Sequence, residues 1–99
     1  MSAYSVYVTP PAWREIKNLQ GHIRQRVRRA VDALGNDPRP LRSKRLRQPA
    51  QDWDLWRLRL DNWRIVYAVH EGDKRVGVLG VRKRPPYDYG DLAALLAQL

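Results

Sequence analysis

The sequence has no cysteine and no phenylalanine, and only two histidines and one methionine among its 99 residues. Without cysteine there is neither a disulfide framework nor a thiolate nucleophile. The histidines, His22 and His70, are too far apart to form a local metal motif, so we expect no metal and no other cofactor. No apolar signal core follows Met1, and the Leu-rich tail from Leu92 to Leu99 is much shorter than the ~20 residues that span a bilayer. These absences predict a cytoplasmic protein without a membrane segment.

Negative charge is also scarce: ten acidic residues stand against nineteen basic ones, which gives a formal charge of +9. Most of the basic residues are arginine, whose planar guanidinium matches phosphate. The stretch 24–47 holds nine basic residues but only Asp32 and Asp37 as acids. A solvated helix face would alternate its charges, so this stretch indicates a patch for RNA, DNA or an acidic protein segment.

The first half of the chain predicts a strand followed by a helical hairpin in a single domain, residues 1–99. Tyr4 to Val8 alternates in the manner of a strand. Thr9 can then cap a helix that accepts proline in its first turn. Apolar residues recur at helical spacing as far as Leu34, and Gly21 can divide this stretch into two helices with a basic outer side. Residues 36–52, with three prolines, are predicted to be a surface loop.

The second half predicts an antiparallel sheet. Three strand patterns cover Leu55–Leu60, Trp63–His70 and Arg75–Arg82, and hairpin-like connections at 61–62 and 71–74 separate them. The run of leucines near the end predicts a short closing helix, capped by Asp91 or Asp88. The fold class is therefore α+β, with an N-terminal strand, a helical hairpin, a mostly antiparallel sheet of about four strands and a short C-terminal helix.

Two arginines are predicted to face each other across the first hairpin. If Asp61-Asn62 is a two-residue turn, Arg59 lies opposite Arg64 on the sheet face that Arg57 also shares. Like charges in this position destabilise a sheet by up to ~1 kcal/mol, so the pair indicates a site for an anion. The alternative is that these guanidiniums extend into water or meet Asp52 and Asp54.

A second cluster of basic and aromatic residues follows the last strand. It runs from Arg82 through Lys83, Arg84 and two prolines to Tyr87 and Tyr89. Guanidinium groups bind phosphate and phenol rings stack on bases, so this combination suits RNA. The alternative is that the tyrosines anchor the closing helix, which we expect of at least one of them.

These motifs, taken in order, resemble the RelE/ParE toxins of type II toxin-antitoxin systems. The resemblance is carried by Trp56-Arg-Leu-Arg-Leu-Asp-Asn-Trp-Arg-Ile-Val-Tyr67, by Val78-Leu-Gly-Val-Arg-Lys-Arg84 and by a tyrosine soon afterwards. The helical stretch that ends in Leu34-Gly-Asn-Asp-Pro38, with Leu46 downstream, also resembles the family, so the likeness covers nearly the whole chain. It implies the RelE-like microbial ribonuclease fold.

Toxins of the RelE branch cut mRNA in the ribosomal A site without a metal and leave a 2′,3′-cyclic phosphate. The resemblance therefore implies catalytic roles for Arg57, Arg59, Arg64 and Arg84, with Tyr87 or Tyr89 as the tyrosine. Known members often carry lysine where this chain has Arg57 and Arg59, and an arginine stays protonated, which argues against proton transfer by either. We also expect Arg45, Arg47, Arg82 and Lys83 to bind RNA.

The two tyrosines remain alternatives. We expect Tyr87 to face RNA because Pro85 and Pro86 stiffen the segment before it. Tyr89, close to the start of the closing helix, is expected to anchor that helix.

The expected partners are the ribosome with its mRNA and an acidic, partly disordered antitoxin that covers basic surface. Two other functions remain open. One is inhibition of DNA gyrase, as in the ParE branch, and the other is nucleic-acid binding without catalysis.

Overall fold

The computed structural model describes residues 3–47, 52–83 and 91–99. Its elements are β1 (Ser5–Val8), α1 (Pro10–Lys17), α2 (Gly21–Ala33), β2 (Ser43–Leu46), β3 (Asp54–Leu60), β4 (Trp63–His70), β5 (Arg75–Lys83) and α3 (Leu92–Leu96). This order confirms the predicted α+β fold: a strand, a helical hairpin, a mostly antiparallel sheet and a short last helix. Within the described residues, none of the helices has the length and apolar character needed to cross a membrane.

The helical hairpin begins where the sequence predicts it. Thr9 is the N-cap of α1: its hydroxyl accepts from the Ala12 amide (3.4 Å) and donates to the Val78 carbonyl (2.9 Å). Because Thr9 is fully buried, these contacts fix the start of α1 to the middle of β5. The chain turns between Lys17 and Gly21, so the predicted division into two helices is confirmed.

The sheet has five strands in the order β1-β5-β4-β3-β2, with β1 parallel to β5 and every other neighbour antiparallel. The additional strand is β2, which lies in the stretch predicted to be a loop, so that prediction is wrong for Ser43–Leu46. The sequence does not predict this strand because two of its four residues are charged and prolines lie on both sides of it. An edge strand tolerates lysine and arginine because one of its sides faces solvent.

Each face of the sheet carries its own core. Apolar side chains such as Ile65 and Tyr67 pack on one face against α1 and α2, while Leu55, Val66 and Leu79 pack on the other against α3. The first is called the helix face and the second the open face, because α3 is short and covers only part of it. Near the turn at 61–62, the open face carries Arg57, Arg59 and Arg64, whose side chains do not belong to this core.

Two local features set the register at the end of the sheet near that turn. Asp61 has φ 52°, the left-handed geometry that a tight hairpin needs, and Leu60 pairs with Trp63 as predicted. An irregularity at Val66/Tyr67 shifts the pairing of β4 with β5. Because of this shift, Leu79 can join the core of the open face while Arg82 still aligns with Arg64.

The predicted cap of the last helix needs a correction. Asp91 occupies the N-cap position of α3, but its side chain makes no capping hydrogen bond and instead accepts from Arg82 at 2.8 Å. The alternative cap, Asp88, lies outside the described residues.

Candidate nucleic-acid interface

Three arginines stand side by side on adjacent strands of the open face. The register pairs Arg59 of β3 with Arg64 of β4, and Arg64 in turn with Arg82 of β5. Neighbouring strands are about 4.8 Å apart, so three cationic side chains start within roughly 10 Å of one another. We call Arg59, Arg64 and Arg82 the arginine row. It confirms the predicted juxtaposition of Arg59 and Arg64 and extends it by one strand.

A concave groove of about 540 Å³ adjoins this row, and we call it the basic groove. Its lining residues are Leu41, Arg42, Ser43, Lys44, Arg57, Arg59 and Arg64. Five of these seven are cationic and none is acidic. The wall that contributes Leu41 to Lys44 leads into β2 and is held against β3, since Arg59 donates its amide to the Arg42 carbonyl at 3.2 Å.

Four of the five cations that line the basic groove have no carboxylate partner within the part of the chain that the structure describes. Among the described residues, Arg42, Lys44, Arg57 and Arg59 make no ion pair. Asp61, whose charge interacts with those of Arg42 and Arg59, forms its ion pair with Arg26 of α2. That hydrogen bond lowers the pKa of Asp61, and the charges of Arg26, Arg42 and Arg59 lower it further. The described part of the groove therefore carries an excess of positive charge, which suits a polyanion.

Arg64 is buried, so the alternative that its guanidinium extends into water is wrong for this residue. Only 7% of its surface is accessible. One terminal nitrogen donates to the carbonyls of Asp61 (2.9 Å) and Trp63 (3.0 Å), so the side chain also supports the 61–62 turn. A guanidinium fixed in this way is preorganised toward the groove and cannot be removed without disturbing the hairpin.

Arg82 is held by two carboxylates. It donates to Asp91 at 2.8 Å and lies 3.8 Å from Glu15 of α1. Glu15 also accepts the Val81 amide at 3.0 Å, beside Gly80, where a Cβ would stand only 2.9 Å from that carboxylate. The missing side chain at Gly80 therefore leaves room for the Glu15 carboxylate. Arg82 is part of the row by register, but its charge is shared with α1 and α3.

The remaining predicted RNA-binding residues lie apart from the groove. Arg45 is on the face of β2 opposite to Lys44 and binds Asp54 at 2.9 Å, and exposed Arg47 follows the end of β2. Lys83 points away from Arg82 and its ammonium lies 5.9 Å from the Trp63 ring centre. The predicted catalytic residues Arg84, Tyr87 and Tyr89 fall outside the described residues.

Sequence reasoning missed two groove residues, Arg42 and Lys44. Both belong to the basic stretch 24–47, but only the pairing of β2 with β3 brings Lys44 opposite Arg57. Recognising β2 as an edge strand would have placed them correctly.

Tyr67, the last residue of the Trp56–Tyr67 motif that resembles the RelE/ParE toxins, does not belong to this interface. It is fully buried on the helix face, and its hydroxyl donates to the Pro38 carbonyl at 2.6 Å. Burial raises the pKa of Tyr67 to about 12. Its role is to fix the segment that precedes the groove wall.

The chemistry available from the described residues is binding and stabilisation of phosphate. Guanidinium groups neutralise charge that develops on phosphate oxygens, but they do not release protons at neutral pH. No His, Asp, Glu or Tyr lines the described part of the basic groove. Nor do the described ranges contain a group of three or more His, Cys, Asp or Glu side chains suited to a metal ion.

Solved structures of known toxins share this fold. RelE in an archaeal RelE–RelB complex from Pyrococcus horikoshii OT3 is similar with a TM-score of 0.76 and 25% identity, over 86% of this chain and 99% of that one. The intact E. coli RelBE toxin-antitoxin complex is similar with a TM-score of 0.65 and 26% identity, over 85% of this chain and 100% of that one. The RelBE2 toxin-antitoxin complex of Mycobacterium tuberculosis is similar with a TM-score of 0.69 and 24% identity, over 83% of this chain and 99% of that one. At that identity the similarity shows the fold alone.

Sequence comparison identifies the family. Among curated proteins, no sequence matches this chain. A family described as the ParE toxin of the type II toxin-antitoxin system parDE matches residues 6–85, which include both helices of the hairpin and the five strands except Ser5 of β1. The chain therefore belongs to the ParE toxin family and is a toxin of a type II toxin-antitoxin system within the RelE/ParE superfamily.

Proposed function

We propose that this toxin is a ribosome-dependent mRNA endoribonuclease that acts in the cytoplasm and inhibits translation. The observation that carries the proposal is the basic groove beside the arginine row, where four cations make no ion pair within the described residues. A sheet that aligns like charges on adjacent strands loses stability, and a bound phosphate compensates for that loss. The similarity to RelE structures supports the same branch.

The proposed reaction is attack of an RNA 2′-OH on the adjacent phosphorus, which breaks the bond to the 5′-oxygen. It leaves a 2′,3′-cyclic phosphate and a free 5′-OH. Arg59 and Arg64 neutralise the charge that builds on the phosphorane oxygens, while Arg57, two residues before Arg59 on β3, helps to bind and align the RNA. Arg84 contributes a further charge by the family resemblance, and no metal takes part.

Proton transfer falls to a tyrosine: we propose Tyr87 for this role in the site, and Tyr89 for anchoring the closing helix. The test is single-turnover cleavage of mRNA on programmed ribosomes for Tyr87→Phe and Tyr89→Phe side by side, with thermal unfolding of Tyr89→Ala. We expect a large rate loss only for Tyr87→Phe and a stability loss for Tyr89→Ala. A large rate loss only for Tyr89→Phe reverses the assignment.

The proposed partner is an acidic antitoxin that folds on binding and covers basic surface. The relatives were solved together with RelB, and the charge of +9 on this chain favours an acidic segment. A small acidic protein is expected to co-purify with the toxin and to dissociate more readily at high salt. Free expression at high level without growth arrest, and without such a partner, would contradict the toxin function.

Inhibition of DNA gyrase is the second candidate, because the matching family is the ParE toxin. A binding module without catalysis is the third, since the described groove holds charges but no proton-transfer group. Mapping of RNA 5′ ends and assay of plasmid supercoiling in induced cells separate the three. Codon-phased mRNA cuts identify the nuclease, and loss of supercoiling identifies the gyrase inhibitor. The absence of both effects identifies the binding module.

A further inference from the structure

A second pair of like charges lies on the open face beside the arginine row. Lys44 of β2 is directly opposite Arg57 of β3, in the same way that Arg59 is opposite Arg64. Both pairs line the basic groove. Arg57 and Arg59 are two residues apart on one strand, so the pairs are displaced by about 7 Å along the strand direction.

The charge of Lys44 by itself has an ordinary explanation, since lysine on an edge strand discourages pairing with other chains. That explanation does not account for Arg57, which faces it from the inner strand β3. The next residue of β2 shows the contrast: Arg45, on the opposite face, finds Asp54 at 2.9 Å. Within the described residues, neither Lys44 nor Arg57 has a carboxylate partner, although Asp54 neutralises Arg45 on the other face of the same two strands.

We propose that Lys44 and Arg57 form a second phosphate subsite, so that the basic groove holds two successive phosphates of one single-stranded RNA. The proposal rests on the proposed function in taking RNA as the ligand. The arginine row binds the phosphate that reacts, and Lys44 with Arg57 binds its neighbour. The RNA backbone then runs along β3, from the 61–62 turn toward Leu55. Arg57 acts in binding and alignment of the substrate, one phosphate away from the reacting bond.

The salt dependence of binding reports how many phosphates the protein neutralises. For single strands, the slope of log affinity against log salt concentration becomes shallower by about 0.7 for each phosphate that is no longer neutralised. The probe is a 2′-O-methyl hexanucleotide, which cannot be cleaved because its 2′-oxygen is blocked. Lys44→Gln and Arg57→Gln should each reduce the slope by about 0.7, and the double variant should show the same reduction, because both side chains hold one phosphate.

Short probes locate the subsite. A 2′-O-methyl dinucleotide with one bridging phosphate should occupy the arginine row, so its affinity, measured by NMR titration, should be nearly unchanged in Lys44→Gln/Arg57→Gln. The trinucleotide with two bridging phosphates should bind more weakly to that variant. Arg75→Gln is the control for each single variant, because it removes one positive charge at the far end of the sheet, about 20 Å along the strands from Arg64.

Several results would overturn the subsite. They are an unchanged slope, a reduction of about 1.4 in the double variant, equal weakening of both short probes, or tighter binding of a DNA duplex than of the single strand. Thermal unfolding of each variant verifies that the fold is kept. Because the probes resist cleavage, wild-type binding without mRNA cleavage would contradict the proposed nuclease and leave the subsite standing.

Discussion

Replacement of Arg59 by glutamine should make the protein more stable and less active. Arg59 pairs with Arg64 across the hairpin, and within the described residues it has no ion pair of its own. A like-charged pair in this position costs up to ~1 kcal/mol. For a protein of this size, each kcal/mol shifts Tm by about 4–8 °C, so Arg59→Gln should raise Tm by roughly 1–8 °C. The lost attraction to Asp61 subtracts little, because the Asp61 side chain is 63% exposed.

The same variant should cut mRNA on programmed ribosomes about 100-fold more slowly, since one group that stabilises transition-state charge is gone. Arg75→Gln is the matched control. Its guanidinium lies over the Trp53 ring, 5.4 Å from the centroid, so its loss should not raise Tm and should leave cleavage unchanged. Calorimetry and single-turnover kinetics on the three proteins give both quantities. A lower Tm for Arg59→Gln, or full activity, would refute the assignment of Arg59 to an anion site.

Three further changes test the interactions around the site. Arg64→Lys keeps the charge but loses the guanidinium hydrogen bonds to the carbonyls of Asp61 and Trp63. It should therefore lower both Tm, measured by thermal unfolding, and the rate of mRNA cleavage, measured by single-turnover kinetics. Tyr67→Phe leaves the buried Pro38 carbonyl without its donor and should cost about 1–3 kcal/mol by denaturant titration. Hydrogen bonds from Lys74, Tyr4 and Arg39 lower the pKa of Glu71 to about 2 from 4.5. The contribution of the Glu71 carboxylate to the free energy of unfolding is therefore complete above pH 4.5 and is lost as the pH falls toward 2. Tm should follow that course in the wild type but much less in Glu71→Gln.

Most of the sheet could be predicted because each strand has a pattern of its own. In Trp63–His70 and its neighbours, β-branched and aromatic residues are bounded by short polar turns, and the structure keeps those boundaries to within one residue. The turn at Asp61-Asn62 fixes the register by its length alone, which is why the Arg59–Arg64 pair could be predicted.

The features that were missed depend on interactions between distant segments. Strand β2 has no apolar alternation, and only its pairing with β3 makes it a strand. The irregularity at Val66/Tyr67 has no local signal, yet it aligns Arg82 with Arg64. Alternation places the Arg64 side chain on the open face, but it cannot show that this side chain is buried and hydrogen-bonded to carbonyls at the turn.

The central claim is that the arginine row and the basic groove serve cleavage of mRNA on the ribosome. The most direct measurement is mapping of RNA 5′ ends after purified toxin is added to ribosomes programmed with a defined mRNA. The wild-type protein should cut within the codon in the A site, leaving a 5′-OH and a 2′,3′-cyclic phosphate, and Arg59→Gln should cut far more slowly. Intact mRNA with the wild-type protein, together with inhibition of gyrase supercoiling by the same preparation, would contradict the claim.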